Sequence, residues 1–233
     1  MIKYFLFDLD GTLLQMDMDL FQKIYFKGLT SAVKGISQQL TYESIWHGTK
    51  HMYANDGSQL NMDAFFKGFE EKSGIDFMTI IEDVKKYYAE KFDECSKACV
   101  INDNARKIID ILKSKGYQIV IATNPLFPKE ATHARLRWIG LDPKEFLLVT
   151  TYENSHFTKP NPKYYEEICN KLNISYDECV MVGNDVYEDG AVKNLGIKLM
   201  LLNDNLLNTK NLPIEADFVG SIEEFIREIS VSY

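Results

Sequence analysis

Cysteine is scarce in this chain and is not spaced for metal binding or cross-linking. The 233 residues hold four cysteines, Cys95, Cys99, Cys169 and Cys179, and no CxxC pair. This spacing fits neither a zinc ligand set nor the disulfide framework of a small secreted domain. We therefore expect reduced thiols in a reducing compartment.

Long apolar runs are also missing. No stretch of the sequence approaches the ~20 consecutive apolar residues that a membrane-spanning helix needs. The apolar run near the N-terminus is interrupted by Asp8 and Asp10, so it does not have the form of a secretory signal. We expect a cytoplasmic protein with no membrane partner.

Positive charge is in deficit. The chain has 26 lysine and arginine residues against 34 aspartate and glutamate residues, which gives a formal net charge of −8. Nucleic acids and anionic membranes would repel such a protein, so we expect neither as a general partner. A small phosphorylated ligand is compatible with this charge, because a local site can hold it. Internal repeats and low-complexity tracts are absent as well.

The segment from Tyr4 to Thr12 is the most informative part of the chain. Tyr4–Phe7 is an apolar run typical of a strand buried in a parallel sheet, and two acids and a glycine follow it. In an extended strand Asp8 and Asp10 point to the same side. Open α/β sheets bind their ligands at this end of the strands. Alone, however, the pair could simply end a strand in a turn.

Beyond residue 100, short apolar segments alternate with helical patterns. This alternation predicts an α/β fold with a Rossmann-like, doubly wound parallel sheet and right-handed crossovers. The predicted later strands are Tyr117–Ala122, Phe146–Val149, Val180–Gly183, Ile197–Leu202 and Asp217–Val219.

Between the first strand and this region lies a long segment with helical periodicity. Thr123, after the second core strand, follows Asp8 by 115 residues, whereas a βαβ unit needs only ~30. The surplus of roughly 80 residues predicts an insertion of about four helices. We therefore predict a core of residues 1–15 and 98–233, and an all-helical cap of residues 16–97 that covers the carboxyl edge of the sheet.

Three further strand ends carry polar side chains. They supply Thr123 and Asn124, then Lys159, and then Asp185 with Asp189. Clustered carboxylates repel one another unless a cation lies among them, and Mg²⁺ prefers such hard oxygen ligands. Hydroxyl, amide and lysine groups donate well to phosphate oxygens, and an aspartate can carry a phosphoryl group. The set predicts magnesium-dependent phosphoryl transfer.

At these residues the chain resembles the haloacid dehalogenase superfamily. The segment Asp8–Leu13 is similar to its first motif, Thr123 to the second, Lys159 with the following proline to the third, and Asp185 with Asp189 to the fourth. The helical insertion stands where that superfamily has its C1-type cap. The resemblance implies a phosphatase-type hydrolase that uses Mg²⁺ and acts on a small phosphorylated metabolite.

The resemblance also implies a role for each acid of the first motif. Asp8 would be the nucleophile that attacks phosphorus, and it would ligate Mg²⁺. Asp10 would act as the general acid and base, and its backbone carbonyl would contact the metal. As a general acid, Asp10 must hold a proton near neutrality, although the ordinary pKa of aspartate is ~3.9.

The remaining motifs imply the phosphate and metal ligands. Thr123, Asn124 and Lys159 would bind the phosphoryl group, and Asp185 would complete the metal site. The fourth motif departs from its usual form in two ways. Asn184 separates Gly183 from Asp185, and the spacing to Gly196 is one residue short. Because of them, either Asp189 or Glu188 could be its second acid.

Several alternative functions are compatible with the same residues. A phosphomutase would use the same core, and a non-catalytic phosphate-ester-binding or receiver-like protein would also gather acids, threonine and lysine at one sheet edge. The oligomeric state, monomer or homodimer, has no signal in the sequence. His47 and His51 share a helix face, but Gly48 weakens a zinc interpretation, so we expect solvated or packing histidines.

Overall fold

The core of the protein is a six-stranded, entirely parallel sheet. A computed structural model describes all residues from 1 to 233. Its strands are β1 (Tyr4–Phe7), β4 (Gln118–Ile121), β5 (Leu148–Val149), β6 (Cys179–Gly183), β7 (Lys198–Leu202) and β8 (Phe218–Gly220). They follow the order β5-β4-β1-β6-β7-β8, with the first strand near the centre. This order confirms the predicted Rossmann-like sheet.

Helices cover both faces of the sheet, and the alternation along β1 shows why. Phe5 and Phe7 pack in one apolar cluster with α5 (Asn104–Ser114) and α8 (Ile222–Val231). Leu6 points to the opposite face and packs in another cluster with α7 (Pro162–Leu172). Successive side chains of a strand point to opposite faces, so a strand buried on both sides must be apolar throughout.

Between β1 and β4 the chain forms four α-helices. They are α1 (Met18–Ala32), α2 (Gln38–Tyr53), α3 (Asn61–Ser73) and α4 (Ile81–Glu90). A short antiparallel ribbon of β2 (Gln15–Met16) and β3 (Cys99–Val100), which the sequence did not predict, joins the two ends of this segment. The four helices agree with the predicted periodicity, while the boundaries of core and cap stay a prediction.

The helical segment packs directly on the core. Its apolar cluster includes Ala131 and Ala134 from α6 (Lys129–Trp138), together with Tyr152. The first residues of α3 also donate backbone hydrogen bonds to the core: Asn61 N–H to Ser155 O at 2.8 Å and Met62 N–H to Tyr152 O at 2.9 Å. These contacts hold the four helices above the carboxyl edge of the sheet.

One predicted helix takes a different form. The segment predicted as a helix from Glu188 to Leu195 is a 3₁₀ helix over Asp189–Leu195. Asp189 uses its side chain to accept the backbone N–H groups of Asn184 and Asp185, which ties the start of the segment to the preceding strand end. No helix of the protein combines the length and apolarity needed to cross a bilayer.

Candidate active site

The carboxyl end of β1 forms the floor of the site. Asp8 N–H donates to Val182 O at 2.9 Å, so the ladder to β6 continues one residue past the strand. Gly11 then turns the chain with a φ of +87°. A Cβ at Gly11 would lie 2.3 Å from Asn184 Nδ2, so both the backbone angle and the close approach require glycine.

Lys159 lies between two buried carboxylates. Its Nζ donates to Asp8 Oδ1 at 2.8 Å and to Asp189 Oδ1 at 2.6 Å, and only 1% of the lysine surface is exposed. Thr12 completes the surroundings of Asp8 by donating its hydroxyl to Asp8 Oδ2 at 3.3 Å. The first, third and fourth strand ends therefore meet around a single ammonium group.

Burial controls the ionisation of this cluster. It raises the pKa of Asp8, and the neighbouring Asp189 and Asp10 carboxylates add to the shift, while Lys159 opposes it. Burial disfavours the charge of Lys159, but Asp189 and Asp8 outweigh this effect and raise the lysine pKa above its usual value. The lysine is thus a permanent cation that offsets part of the negative charge.

Asp10 has a cationic partner that the sequence did not reveal. Arg135, on α6 and 1% exposed, forms an ion pair with Asp10 Oδ2 through Nη1. The guanidinium also donates to Thr132 Oγ1 at 3.2 Å and lies 4.6 Å from the centre of the Phe127 ring. Burial raises the pKa of Asp10, and Arg135 opposes that shift. The sequence offered one weak signal of this pairing, which is that Arg135 lies on the same helix as the small apolar residues Ala131 and Ala134.

Thr123 and Asn124 follow β4 and line the same cavity as Asp8. Thr123 is held through its carbonyl, which accepts the hydroxyl groups of Thr150 at 2.7 Å and Tyr164 at 2.8 Å. Asn124 accepts Lys159 N–H through Oδ1 at 3.2 Å. The second and third strand ends are thereby fixed to each other.

The two acids that could fill the fourth motif have different environments. Asp189 is buried, accepts Lys159 through Oδ1, and receives the N–H groups of Asn184 at 3.0 Å and Asp185 at 2.9 Å through Oδ2. Glu188 accepts Asn124 Nδ2 at 3.0 Å, and burial raises its pKa to about 7. Asp189 therefore orients the lysine and the loop, whereas Glu188 contacts the residue after the second motif.

Asn184 and Asp185 differ in how much of their side chain is free. Asn184 shares the Thr12 hydroxyl proton with Asp8, accepting it through Oδ1 at 3.0 Å, and donates to Asn205 O at 2.8 Å. Asp185 accepts the backbone N–H groups of Tyr187 and Glu188 through Oδ1 alone, which leaves Oδ2 available. A free carboxylate oxygen is the better metal ligand of the two.

The predicted site residues line one cavity of about 340 Å³ between the sheet edge and the helices. Those that line it are Asp8, Asp10, Thr123, Asn124, Asp185, Glu188 and Asp189. Lys159 lies behind this surface, in contact with Asp8 and Asp189. The structure thus gathers at one edge residues that are separated by up to 181 positions.

The residues at this edge fit a divalent cation. Five carboxylates line the cavity, while the two nearby cations, Lys159 and Arg135, are each bound to carboxylates. Oδ1 of Asp10 is buried and has no hydrogen-bond partner. Carboxylates that line one cavity repel one another in the absence of a cation, and hard oxygen donors suit Mg²⁺.

A second group of possible ligands lies outside this cavity. His47 and His51 on α2 face Glu71 on α3, with Nε2 to Oε2 distances of 3.8 and 3.1 Å. The two histidines therefore contact a carboxylate at the half-exposed surface of the helices, and none of the three residues lines the cavity.

The chain is similar to known proteins in sequence and in fold. The chain is 28% identical to a glyceraldehyde 3-phosphate phosphatase from Methanothermobacter thermautotrophicus over 223 residues, which cover 92% of both chains. A predicted phosphoglycolate phosphatase from Haemophilus somnus 129PT has 20% identity, a TM-score of 0.58 and 97% coverage of both chains. The L-2-haloacid dehalogenase of Xanthobacter autotrophicus has 14% identity, a TM-score of 0.60 and full coverage.

The two solved structures share the fold, and the family model adds the assignment. The model of the haloacid dehalogenase-like hydrolases matches residues 2–196, which include every strand end described above. Together with the phosphatase relatives, this match confirms the assignment of the chain as a phosphatase-type enzyme. The chain therefore belongs to the haloacid dehalogenase-like hydrolase family.

Proposed function

We propose that this protein is a Mg²⁺-dependent phosphomonoesterase that acts on a small phosphorylated metabolite through an aspartyl-phosphate. The observation that carries the proposal is the buried Asp8–Lys159–Asp189 cluster at the floor of the cavity. Relatives named as phosphatases of glyceraldehyde 3-phosphate and phosphoglycolate support a small phosphorylated substrate.

Asp8 is the proposed nucleophile. One oxygen of its carboxylate attacks phosphorus, and the bond from phosphorus to the leaving oxygen breaks, so the phosphoryl group moves to Asp8. Asp10 gives its proton to the leaving alkoxide in this step. In the second step water attacks phosphorus, Asp10 takes the proton of that water, and inorganic phosphate leaves as Asp8 is regenerated.

The raised pKa of Asp10 fits this role. An acid that donates a proton near neutrality needs a pKa above that of an ordinary aspartate, and burial supplies a shift in that direction. Arg135 limits the shift and fixes the position of the carboxylate. We infer that Arg135 is a positioning residue for the acid–base step.

The phosphoryl group is proposed to lie between the first and second strand ends. Thr123 and Asn124 are placed to donate to its oxygens, and Lys159 offsets the charge that Asp8 and the phosphoryl group share. Asp8, the backbone carbonyl of Asp10, and Asp185 would hold the metal. When bound, Mg²⁺ supplies charge stabilisation to the phosphoryl oxygens.

The proposal is tested by measuring phosphate release from p-nitrophenyl phosphate with Mg²⁺, with EDTA, and in the Asp8→Asn variant. We expect release that requires the metal and falls by at least ~10³-fold in the variant. Asp185→Asn is expected to weaken activation by Mg²⁺ and to be partly rescued by more metal. Release that persists in EDTA or in Asp8→Asn would contradict the proposal. Product analysis with a sugar phosphate separates hydrolysis from phosphoryl migration in a phosphomutase.

A further inference from the structure

The walls of the cavity above the carboxylates are strongly apolar. Of the 31 residues that line the cavity of about 340 Å³, 19 are hydrophobic. Helices α1 to α4 all contribute, with side chains that include Phe26, Ile45, Trp46, Phe69 and Val84. The volume of the cavity falls in the range of pockets that enclose a small organic molecule rather than a bare ion.

Charge is distributed unevenly in this cavity. Every charged residue that lines it is acidic and belongs to the floor: Asp8, Asp10, Asp185, Glu188 and Asp189. No lysine, arginine or histidine lines the walls. Arg135 and Lys159 lie next to the cavity, but each is bound to floor carboxylates. A second anionic group on a substrate would therefore lose its hydration without gaining a cationic partner.

Four hydroxyl groups of the walls have hydrogen-bond partners within the protein. Tyr25 and Tyr88 hydrogen-bond each other at 2.8 Å. Thr41 donates to Ser37 O at 2.9 Å, and Thr49 donates to Ile45 O at 2.9 Å. These four hydroxyl groups make their hydrogen bonds within the protein, so they contribute little to the binding of a polar leaving group such as a triose or a carboxylic acid.

We propose that the substrate of this site is a phosphomonoester with an uncharged, apolar leaving group, of the size of a medium-length alkyl chain or an aromatic ring. The phosphoryl group lies at the carboxylate floor and the leaving group lies among the aromatic and aliphatic side chains of α1 to α4. Esters that carry a second negative charge near the phosphoryl group are poor substrates. This inference depends on the proposed phosphomonoesterase function.

An alkyl series isolates the apolar contribution. Ethyl, butyl and hexyl phosphate have similar leaving-group chemistry and differ in the surface that the cavity can bury. Each buried methylene is expected to raise kcat/KM by about fourfold, which gives a rise on the order of 10²-fold from ethyl to hexyl phosphate. A flat series, or a decrease with chain length, would overturn the substrate class.

Two aryl phosphates that differ by one negative charge isolate the electrostatic contribution. Phenyl phosphate and 4-carboxyphenyl phosphate share the aromatic ring, and the carboxylate makes the second a slightly better leaving group. We expect kcat/KM to be at least ~10-fold lower for the carboxylate, because the cavity has no cation to receive it. Equal rates, or a preference for the carboxylate, would overturn the proposal.

Val84→Phe tests whether the leaving group occupies the cavity between the helices. Val84 lines the cavity from α4, whereas Val231 is 85% exposed on α8, so Val231→Phe is the matched control. We expect Val84→Phe to lower kcat/KM for hexyl phosphate by ~10-fold and to change kcat/KM for ethyl phosphate by no more than about twofold. The control variant should have the same kcat/KM as the wild type for both esters. If Val84→Phe lowers kcat/KM for ethyl phosphate but not for hexyl phosphate, the leaving group does not occupy this cavity and the proposal is overturned.

Failure of the substrate class and failure of the proposed function give different results. If Mg²⁺, Mn²⁺ and Co²⁺ all fail to support phosphate release from any of these esters, the phosphomonoesterase function itself is wrong. If phosphate is released and phosphoglycolate is hydrolysed faster than hexyl phosphate, only the apolar substrate class is wrong. Faster hydrolysis of hexyl phosphate supports both.

Discussion

Arg135→Met is expected to destabilise the protein because it leaves the largely buried Asp10 carboxylate, whose side chain is 20% exposed, without a cationic partner. In the structure Arg135 is 1% exposed and pairs with Asp10, whose Oδ1 has no hydrogen bond. Removing one partner of a buried ion pair costs about 3–5 kcal/mol. For a chain of this size each kcal/mol lowers Tm by roughly 2–4 °C, so we expect a Tm about 6–20 °C lower.

The loss of stability in Arg135→Met should increase as the pH rises. Burial already raises the pKa of Asp10, and removing Arg135 removes the effect that opposes this shift. Above the unfolded pKa of ~3.9 the folded variant then binds more protons than its unfolded state does. Its free energy of unfolding therefore falls by up to about 1.4 kcal/mol per pH unit until the folded pKa is passed. The difference in stability from the wild type should therefore widen as the pH rises from about 4 through the folded pKa of Asp10 in the variant.

The assay is thermal unfolding in metal-free buffer across that pH range, with a double-mutant cycle as its control. Asp10→Asn removes the charge that Arg135 balances, so Arg135→Met combined with Asp10→Asn should recover much of the lost stability. We expect a coupling free energy of about 2–3 kcal/mol between the two positions. Additive effects within about 0.5 kcal/mol, or a loss that does not change with pH, would refute the role assigned to Arg135.

Three further changes test other parts of the structure. Gly11→Ala should cost about 2–4 kcal/mol in denaturant unfolding, because the turn has a positive φ and the new Cβ meets the side chain of Asn184; a loss below 1 kcal/mol would contradict this. Lys159→Met should lower stability by about 3–5 kcal/mol in metal-free buffer, since two buried carboxylates lose their cation. Arg106 holds the pKa of Glu145 at about 2, so Glu145→Gln should cost about 1 kcal/mol at pH 7. That loss should shrink as the pH falls from 4.5 toward 2; a constant difference would contradict it.

The positions of the strand ends could be predicted because they follow from local patterns. The apolar run before Asp8 and the turn at Gly11 define one strand end without any tertiary information. The parallel arrangement then requires Thr123, Lys159 and Asp185 to lie at the same edge. The structure places all of these residues there.

The contacts between elements could not be predicted in the same way. Arg135 reaches Asp10 from α6, and no local pattern in the sequence encodes that contact. Glu188 and Asp189 are neighbours in sequence, yet one contacts Asn124 and the other Lys159. Similarly, periodicity predicted that the aromatic residues of α1 to α4 are buried, but not which of them face the cavity.

We expect Asp8 to carry the phosphoryl group during turnover. This expectation is tested most directly by acid-quenching the enzyme during hydrolysis of phenyl phosphate with Mg²⁺ and locating any added phosphoryl group by peptide mass spectrometry. We expect a phosphoryl group on Asp8 that disappears when the substrate is exhausted and never forms in Asp8→Asn. Sustained phosphate release with no modification of Asp8, or with modification of another residue, would contradict it.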